Sequence, residues 1–251
     1  MVNYMILKPN CFGNVMNALA NFKKRRQAIS FYRNFINSGD LCFDIGANVG
    51  DKSDIFRRLN AKVVAVEPQP LCVGRIKERF QYDKNIEILN VALGRKSGVD
   101  EMYVCSNINV LSTMSKKWIE HSRFSSNNKV KWDDKIKVSV TTLDELIERF
   151  GVPKFCKIDV EGFEIEVLLG LTKRMKYLSF EFMDEFLDDA LEIFLMLEKI
   201  GNIKSNYSLR EDFDSRSFCL RGWRSSFDVM KELKSLKDKK IWGDIYIMFE
   251  E

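Results

Sequence analysis

The sequence has one histidine, four prolines and no apolar run that reaches about 18 residues. A single histidine excludes the histidine-rich sites that bind zinc or iron. The six cysteines include no C-x-x-C pair, so we expect reduced thiols. Because the chain also lacks a signal-like start, we expect a cytoplasmic protein without a membrane span.

The charge balance is nearly even, with 40 basic and 36 acidic residues and a formal net charge of +4. Such a small excess does not by itself require a nucleic-acid partner. The 251 residues are 45% hydrophobic, which suffices for one large α/β domain. We predict an N-terminal helical extension over residues 1–38, forming a lid or brace over the sheet edge. The main domain then covers 39–251, with a substrate-facing insertion around 105–135.

A short apolar run, residues 41–45, contains Asp44 and leads into a turn with Gly46, Asn48 and Gly50. Helical spacing follows, so this stretch predicts a strand, a tight loop and a helix. Such a loop directs N–H groups and the positive end of a helix dipole at a ligand. Asp44 would repel a pyrophosphate but attract an ammonium group. The loop therefore favours an aminoacyl ligand such as the methionine end of S-adenosylmethionine; a tight turn without a ligand is the alternative.

Two further predicted strand ends complete this cofactor site. Glu67 lies 21 residues after Gly46, at the end of the second apolar run, where an acid can hold two ribose hydroxyls. Asn90 and Ala92 follow the third predicted strand, 86–89, where a side chain or backbone group can meet an adenine edge. A polar strand end that faces water is the alternative for this position.

Three ionisable side chains, Lys157, Asp159 and Glu161, gather at the end of a central predicted strand. Strand alternation places Lys157 and Asp159 on one side, at the sheet edge where open α/β sheets bind ligands. Either acid can serve as the base that takes a proton from an acceptor hydroxyl, and Lys157 can keep a carboxylate ionised. His121 is the second candidate base, and a surface histidine without a role is its alternative.

Two features of this region leave alternatives open. An oxygen-only Mg²⁺ site made of Asp159, Glu161 and a third acid is compatible with the sequence but has no support in it. The insertion interleaves basic residues with Trp118, Phe124 and Trp132. Aromatic faces stack on sugars and on nucleic acids, so this pattern predicts either such a contact or an insertion packed by its own aromatic residues.

Four motifs, taken in order, give the chain a family resemblance: Asp44–Gly50, Glu67-Pro68, Thr141–Asp144 and Lys157–Gly162. Over about residues 38–182 the chain resembles the FkbM family of S-adenosylmethionine-dependent methyltransferases. The resemblance implies a class I methyltransferase (Rossmann-like) fold, a doubly wound α/β sheet of about seven strands with an antiparallel last strand. It also implies O-methylation of a small-molecule or glycan acceptor, often at a sugar hydroxyl.

The same resemblance carries roles over to particular residues. It implies that Asp44, Gly46 and Glu67 contact the cofactor and that Asp159 and Glu161 lie at the methyl-transfer site. Other functions stay open beside it. A nicotinamide-dependent oxidoreductase is disfavoured by Asp44 and Asn48. A protein methyltransferase is a further alternative.

Nucleic acid is a disfavoured acceptor, and a purely binding role is disfavoured as well. Methylation of an exocyclic amine on a nucleobase usually comes with an Asn/Asp-Pro-Pro-aromatic run, whereas this chain has Asp159-Val160-Glu161-Gly162 at that place. A domain that binds the cofactor without catalysis is also an alternative. The intact acids after the central strand argue against that alternative.

Overall fold

The computed structural model describes residues 22–127, 129–210 and 218–250. Within these ranges the chain forms ten strands: β1 (Leu41–Ile45), β2 (Lys62–Val66), β3 (Ile86–Leu89), β4 (Ala92–Leu93), β5 (Gly98–Cys105), β6 (Trp132–Thr141), β7 (Phe155–Ile158), β8 (Tyr177–Met183), β9 (Ile203–Leu209) and β10 (Trp242–Phe249). The same ranges contain eight α-helices: α1 (22–32), α2 (Asp51–Arg58), α3 (Pro70–Arg79), α4 (Lys116–His121), α5 (Leu143–Phe150), α6 (Glu164–Leu168), α7 (Leu187–Ile200) and α8 (Ser226–Ser235).

Seven of these strands form one sheet in the order β3-β2-β1-β7-β8-β10-β9. Strands β3, β2, β1, β7 and β8 are parallel, whereas β10 is antiparallel to both of its neighbours. Parallel neighbours need crossover connections, which the helices provide. The prediction of a doubly wound sheet of about seven strands with an antiparallel last strand is confirmed.

Helices cover both faces of the sheet because alternate strand residues point to opposite sides. On β1, Cys42 belongs to the core beneath α1, α2 and α3, while Phe43 belongs to the core beneath α5, α6, α7 and α8. Residues 201–240 show no clear pattern in the sequence, yet they supply β9 and α8. Among the described helices, none has both the length and the apolar composition of a membrane-spanning segment.

Helix α1 lies across a face of the sheet, so its predicted position over the sheet edge is wrong. Phe31 packs on Tyr246 of β10 with ring centroids 5.2 Å apart, and Tyr32 packs on Phe155 of β7 at 5.5 Å. Both strands are interior strands of the sheet. The apolar side chains of α1 and the turn after it are thus part of the core on this face of the sheet; residues 1–21 of the predicted extension lie outside the described residues.

The predicted insertion joins β5 to β6, which pair with each other and with β4 in a separate three-stranded sheet. Trp118 on α4 is 1% exposed and packs on Phe124 and Trp132, each with ring centroids 5.6 Å away. The Trp132 indole N–H donates to the Leu111 carbonyl at 2.7 Å. These aromatic residues therefore pack the insertion itself, which was one of the two alternatives that the sequence left open.

Candidate active site

The loop after β1 closes tightly on its neighbours. Gly46 has φ +81°, and a Cβ at this position would lie 1.8 Å from the Asp159 carbonyl oxygen. Only glycine allows the loop after β1 and the loop after β7 to approach so closely. The N–H groups of Gly46 and Ala47 both donate to the Val66 carbonyl, at 2.9 and 3.0 Å. These two N–H groups thus fix the loop against the end of β2, and the predicted use of the loop N–H groups as ligand donors does not hold for them.

Glu67 is held rigidly at the end of β2. Its two carboxylate oxygens accept the backbone N–H groups of Asn48 and Gln69, at 2.9 and 2.8 Å. Burial raises the pKa of Glu67, although the two N–H donors oppose this shift. The Asn90 side chain donates to the carbonyl oxygens of Glu67 and Pro68, at 3.1 and 2.9 Å. Asn90 therefore supports the turn that carries Glu67.

A cleft opens above these strand ends, and we call it the main cleft. Glu67, Asp159 and Glu161 supply its carboxylates, and Gly46, Asn48 and Ala92 also line it. The rest of the lining is largely apolar and comes from β1, β2, the segment after β3, β5, the insertion and the loop after β7: Ile45, Val66, Val91, Leu93, Met102, Val110, Met114, Val160 and Phe163. The cleft thus combines an apolar wall with three acids at strand ends.

Three of the predicted cofactor-binding residues do not line this cleft. Asp44 is 1% exposed and accepts a hydrogen bond of 2.5 Å from the Ser53 hydroxyl of α2, which turns its carboxylate toward that helix. Burial raises the pKa of Asp44. Gly50 is the N-cap of α2, and a Cβ there would lie 3.0 Å from the Phe80 ring, so it serves packing. Asn90 does not line the cleft either; its side chain instead supports the turn that carries Glu67.

His121 is also remote from the acids. It ends α4, its side chain is 66% exposed, and its nearest charged partner is Glu120 at 3.9 Å. The side chain of Trp118 on the same helix is buried instead, and it packs on Gly162. Since α4 turns its buried face toward the loop after β7, the structure leaves His121 on the surface and does not bring it to the cleft.

Lys157 and Asp159 lie on one side of β7, as strand alternation predicts. The Lys157 ammonium is 1% exposed and lies 3.0 Å from a carboxylate oxygen of Asp159 and 2.8 Å from one of Asp244. Burial alone would lower the pKa of Lys157, but the two carboxylates together raise it well above its usual range. Lys157 therefore carries a charged ammonium group that links Asp159 to Asp244 of β10 through two ion pairs.

Sequence reasoning missed two acids of this site because neither stands in the central motif. Asp244 lies on β10, the last described strand, which runs between β8 and β9. Glu181 lies near the carboxyl end of β8, beside β7, and the apolar residues around it, which are typical of a strand, were the sequence signal that could have found it. Carboxylate oxygens of Asp159, Glu161 and Glu181 all lie within 4.8 Å of one another, close enough to hold a metal ion.

The acids of this cluster repel one another. Burial and the charges of Asp159 and Glu164 raise the pKa of Glu161 well above its usual range. Glu161 has φ +55°, and its carbonyl accepts a hydrogen bond of 2.7 Å from Thr113 of the insertion. Burial and the charge of Asp159 likewise raise the pKa of Glu181 well above its usual range. A group that takes up a proton, or a cation that approaches, would relieve this repulsion.

Solved structures with similar folds include an rRNA methylase from Streptococcus thermophilus, 10% identical with a TM-score of 0.48, with 99% of this chain and 100% of that chain covered. An O-methyltransferase from Bacillus cereus, solved with SAH, is 9% identical with a TM-score of 0.46, and the match covers 98% and 93% of the two chains. These likenesses are distant, and no functional conclusion follows from them.

Hexuronic acid methyltransferase AglP of Haloferax volcanii is 31% identical over 144 residues, which cover 56% of this chain and 54% of AglP. The chain thus spans about half the length of this relative. The methyltransferase FkbM domain matches residues 44–204, a range that contains the loop after β1, Glu67 and the acids after β7. With the strand order of its sheet and this match over most of its length, the chain belongs to the family of methyltransferases with an FkbM domain.

Proposed function

We propose that this protein is an S-adenosylmethionine-dependent O-methyltransferase whose acceptor is a hydroxyl of a sugar, a glycan or a related small molecule. The observation that carries the proposal is the group of carboxylates, Asp159, Glu161 and Glu181, at the edge of the main cleft. Family membership supports methyl transfer, and the name of the Haloferax relative supports a sugar acceptor.

The residues of the cleft fit the cofactor in three respects. Glu67 presents a fixed carboxylate where a ribose needs an acceptor for its hydroxyls. Apolar side chains such as Leu93, Met102 and Phe163 offer a wall for adenine. Asp159 lines the cleft beside Gly46 and offers a negative charge to an ammonium group, the role that the sequence assigned to Asp44. When bound there, the cofactor supplies an electrophilic methyl group.

Asp159 and Glu161 have different roles in the proposed reaction. Lys157 holds Asp159 in place, so that Asp159 is a fixed anion. Glu161 lines the cleft, and its raised pKa makes it, once ionised, a stronger base than an ordinary carboxylate. In this proposal Glu161 takes the proton of the acceptor hydroxyl while the methyl group is transferred. The positions of the acceptor and the base within one cleft also align the reactants.

Transfer of a labelled methyl group to a panel of glycosides tests this function. The change Glu161→Gln removes the base, so we expect turnover to fall by about 10²- to 10⁴-fold. Affinity for S-adenosylhomocysteine, measured by calorimetry, stays near the wild-type value. Turnover of the wild-type protein rises with pH, because Glu161 must lose its proton first and its pKa is raised.

A matched control is Glu120→Gln on α4, whose side chain is 67% exposed. We expect this control variant to turn over at the wild-type rate. Wild-type turnover in Glu161→Gln would remove Glu161 from the mechanism, and a protein that binds neither S-adenosylmethionine nor S-adenosylhomocysteine would end the proposal.

A metal ion is not part of this proposal, although three carboxylates could hold Mg²⁺. The Lys157 ammonium already lies 3.0 Å from Asp159 and provides a positive charge at the same acid. We therefore expect turnover to be unchanged after treatment with EDTA and without added Mg²⁺. Loss of turnover that Mg²⁺ restores would contradict this expectation.

A further inference from the structure

The Lys157 ammonium lies between two carboxylates that differ in exposure. Its nitrogen is 2.8 Å from an oxygen of Asp244 and 3.0 Å from an oxygen of Asp159. The Asp244 side chain is 4% exposed and does not line the main cleft, whereas the Asp159 side chain is 29% exposed and lines it. Of these three side chains, only Asp159 can therefore contact a ligand in the main cleft.

Asp244 has a donor on each of its carboxylate oxygens. One oxygen accepts from the Lys157 ammonium, and the other accepts a hydrogen bond of 3.3 Å from the Tyr246 hydroxyl. Burial raises the pKa of Tyr246 well above its usual range, so this hydroxyl keeps its proton. Burial also raises the pKa of Asp244, but the Lys157 ammonium opposes that rise. Donors on both oxygens favour the ionised carboxylate, which only accepts hydrogen bonds.

The charges of these three side chains do not cancel. One ammonium lies between two carboxylates, so the group has one negative charge in excess. If Lys157 were paired with Asp159 alone, that pair would be neutral. Because Asp244 shares the ammonium, Asp159 retains part of its negative charge. The excess charge reaches the cleft through Asp159, since the other two side chains are buried.

The neighbouring ionisable groups do not provide this charge. Burial and nearby negative charges raise the pKa values of Glu161 and Glu181 well above their usual range, which favours their neutral forms near neutral pH. Asp44 is buried, and the Lys52 ammonium acts on both Asp44 and Asp244. Asp44 and Lys52 have opposite charges, so together they leave the excess unchanged.

We propose that Asp244 is a positioning residue for the cofactor: by sharing the Lys157 ammonium, it leaves Asp159 with the negative charge that attracts the ammonium group of the cofactor. The inference rests on the proposed function, in which Asp159 offers this charge to S-adenosylmethionine. Asp244 acts only through Lys157 and Asp159, because it does not line the cleft. It should therefore affect the binding of ligands that carry the ammonium group and no others.

The test compares S-adenosylhomocysteine with its deamino form, in which a hydrogen atom replaces the amino group. Each ligand is titrated by calorimetry into the full-length protein near neutral pH. In the wild type we expect the ammonium group to strengthen binding at least about tenfold. In Asp244→Asn this preference should fall to about twofold or less, because Lys157 then neutralises Asp159. Affinity for the deamino form should stay near the wild-type value, whereas a loss of structure would weaken both ligands.

A double variant tests the charge balance itself. Lys157→Met combined with Asp244→Asn removes one positive and one negative charge, so the excess negative charge lies on Asp159 again. We expect this variant to regain most of the wild-type preference, although both ion pairs of Lys157 are lost. A purely structural role of Asp244 predicts weaker binding of both ligands instead. If Asp244→Asn does not fold, the double variant decides alone, and a missing preference in it would overturn the proposal.

Asp184→Asn is the matched control, because it also removes a buried carboxylate from an ion pair. Asp184 is 5% exposed, lies 2.7 Å from Arg123 and does not line the main cleft. Loss of this carboxylate should lower the stability of the protein. The preference for S-adenosylhomocysteine over its deamino form should stay as in the wild type.

The two proposals fail in different ways. If S-adenosylhomocysteine binds but the wild type shows no preference for it, or Asp244→Asn keeps the wild-type preference, Asp244 does not have this role and the methyltransferase proposal stands. If the wild-type protein binds neither S-adenosylmethionine nor S-adenosylhomocysteine, the proposed function fails. An equal loss of preference in Asp184→Asn would indicate a general effect of removing a buried acid and would also overturn the role of Asp244.

Discussion

Glu164 shows how a single buried side chain couples the stability of this protein to pH. One of its carboxylate oxygens accepts the backbone N–H groups of both Val160 and Gly162, at 3.1 and 3.3 Å. These bonds hold the loop that carries Asp159 and Glu161. Burial raises the pKa of Glu164 from 4.5 to about 7, against the effect of these N–H donors. The folded protein therefore binds this proton more tightly than the unfolded chain does.

The sign of the effect follows from this difference. Between pH 4.5 and 7 the unfolded chain has already lost the proton that the folded protein retains, so stability decreases as pH rises through this window. The change Glu164→Gln removes the titration, while its amide oxygen can still accept both N–H groups. We expect the free energy of unfolding of the variant, relative to the wild type, to rise by about 3 kcal/mol from pH 4.5 to pH 8. Urea unfolding of both proteins across this range measures the difference.

A constant difference between the two proteins over this range would contradict the assignment. Val160 and Gly162 donate to one oxygen only, so a loss of loop structure is not expected in the glutamine variant. Glu166→Gln is a suitable control, because this residue lies in the same helix and pairs with Arg95 on the surface. The control should leave the pH dependence of the wild type in place.

At the scale of elements, the site depends on the contact between the loop after β1 and the loop after β7. Gly46 and Gly39 both have a left-handed backbone, with φ +81° and +88°. A Cβ at Gly46 would collide with the Asp159 carbonyl, whereas a Cβ at Gly39 would have no atom within 4 Å. Alanine substitutions at the two glycines therefore distinguish two contributions to the loss of stability. At Gly39 only backbone strain contributes, whereas at Gly46 the displacement of the two loops is added to it.

We expect Gly39→Ala to lower the free energy of unfolding by roughly 1–2 kcal/mol, since alanine is strained in this conformation. Gly46→Ala should cost more than this and should also abolish the binding of S-adenosylhomocysteine, because Asp159 and Glu161 move with their loop. Thermal unfolding and calorimetry measure the two effects. Equal stability losses with intact binding in both variants would show that the contact between the loops does not organise the site.

At the scale of the whole molecule, the N-terminal helix and the turn after it are built into the sheet. Phe35 is 3% exposed, stacks on Tyr246 at a ring-centroid distance of 5.7 Å and also packs on Phe155 at 5.4 Å. These contacts connect the start of the described chain to its last strand. Unfolding of this segment would therefore expose the face of the sheet that it covers.

The change Phe35→Ala should lower the free energy of unfolding by about 3–5 kcal/mol, as expected for a large side chain removed from a core. Phe22→Ala, at the start of α1, removes a side chain that is 58% exposed and should change stability by no more than about 0.5 kcal/mol. Both values come from urea unfolding followed by circular dichroism. A small loss in Phe35→Ala would instead indicate an extension that unfolds independently of the sheet.

Much of the architecture followed from patterns that are local in the chain. The first two apolar runs predicted β1 and β2, because a strand buried on both faces is largely apolar. The acids after β7 were predictable as a group for a similar reason, since residues next to a strand end stay near that end in any fold.

Tertiary structure decided the direction and the partners of individual side chains. Asp44 turns to Ser53 rather than to the cleft, and His121 stays at the surface, because packing between distant elements sets these orientations. Asp244 and Glu181 reach the site through strand order, which pairs β10 with β8 and β8 with β7. The sequence alone thus determined the family, the sheet and the central acids. The structure added the long-range contacts, since side chains far apart in the chain become neighbours only when the sheet assembles.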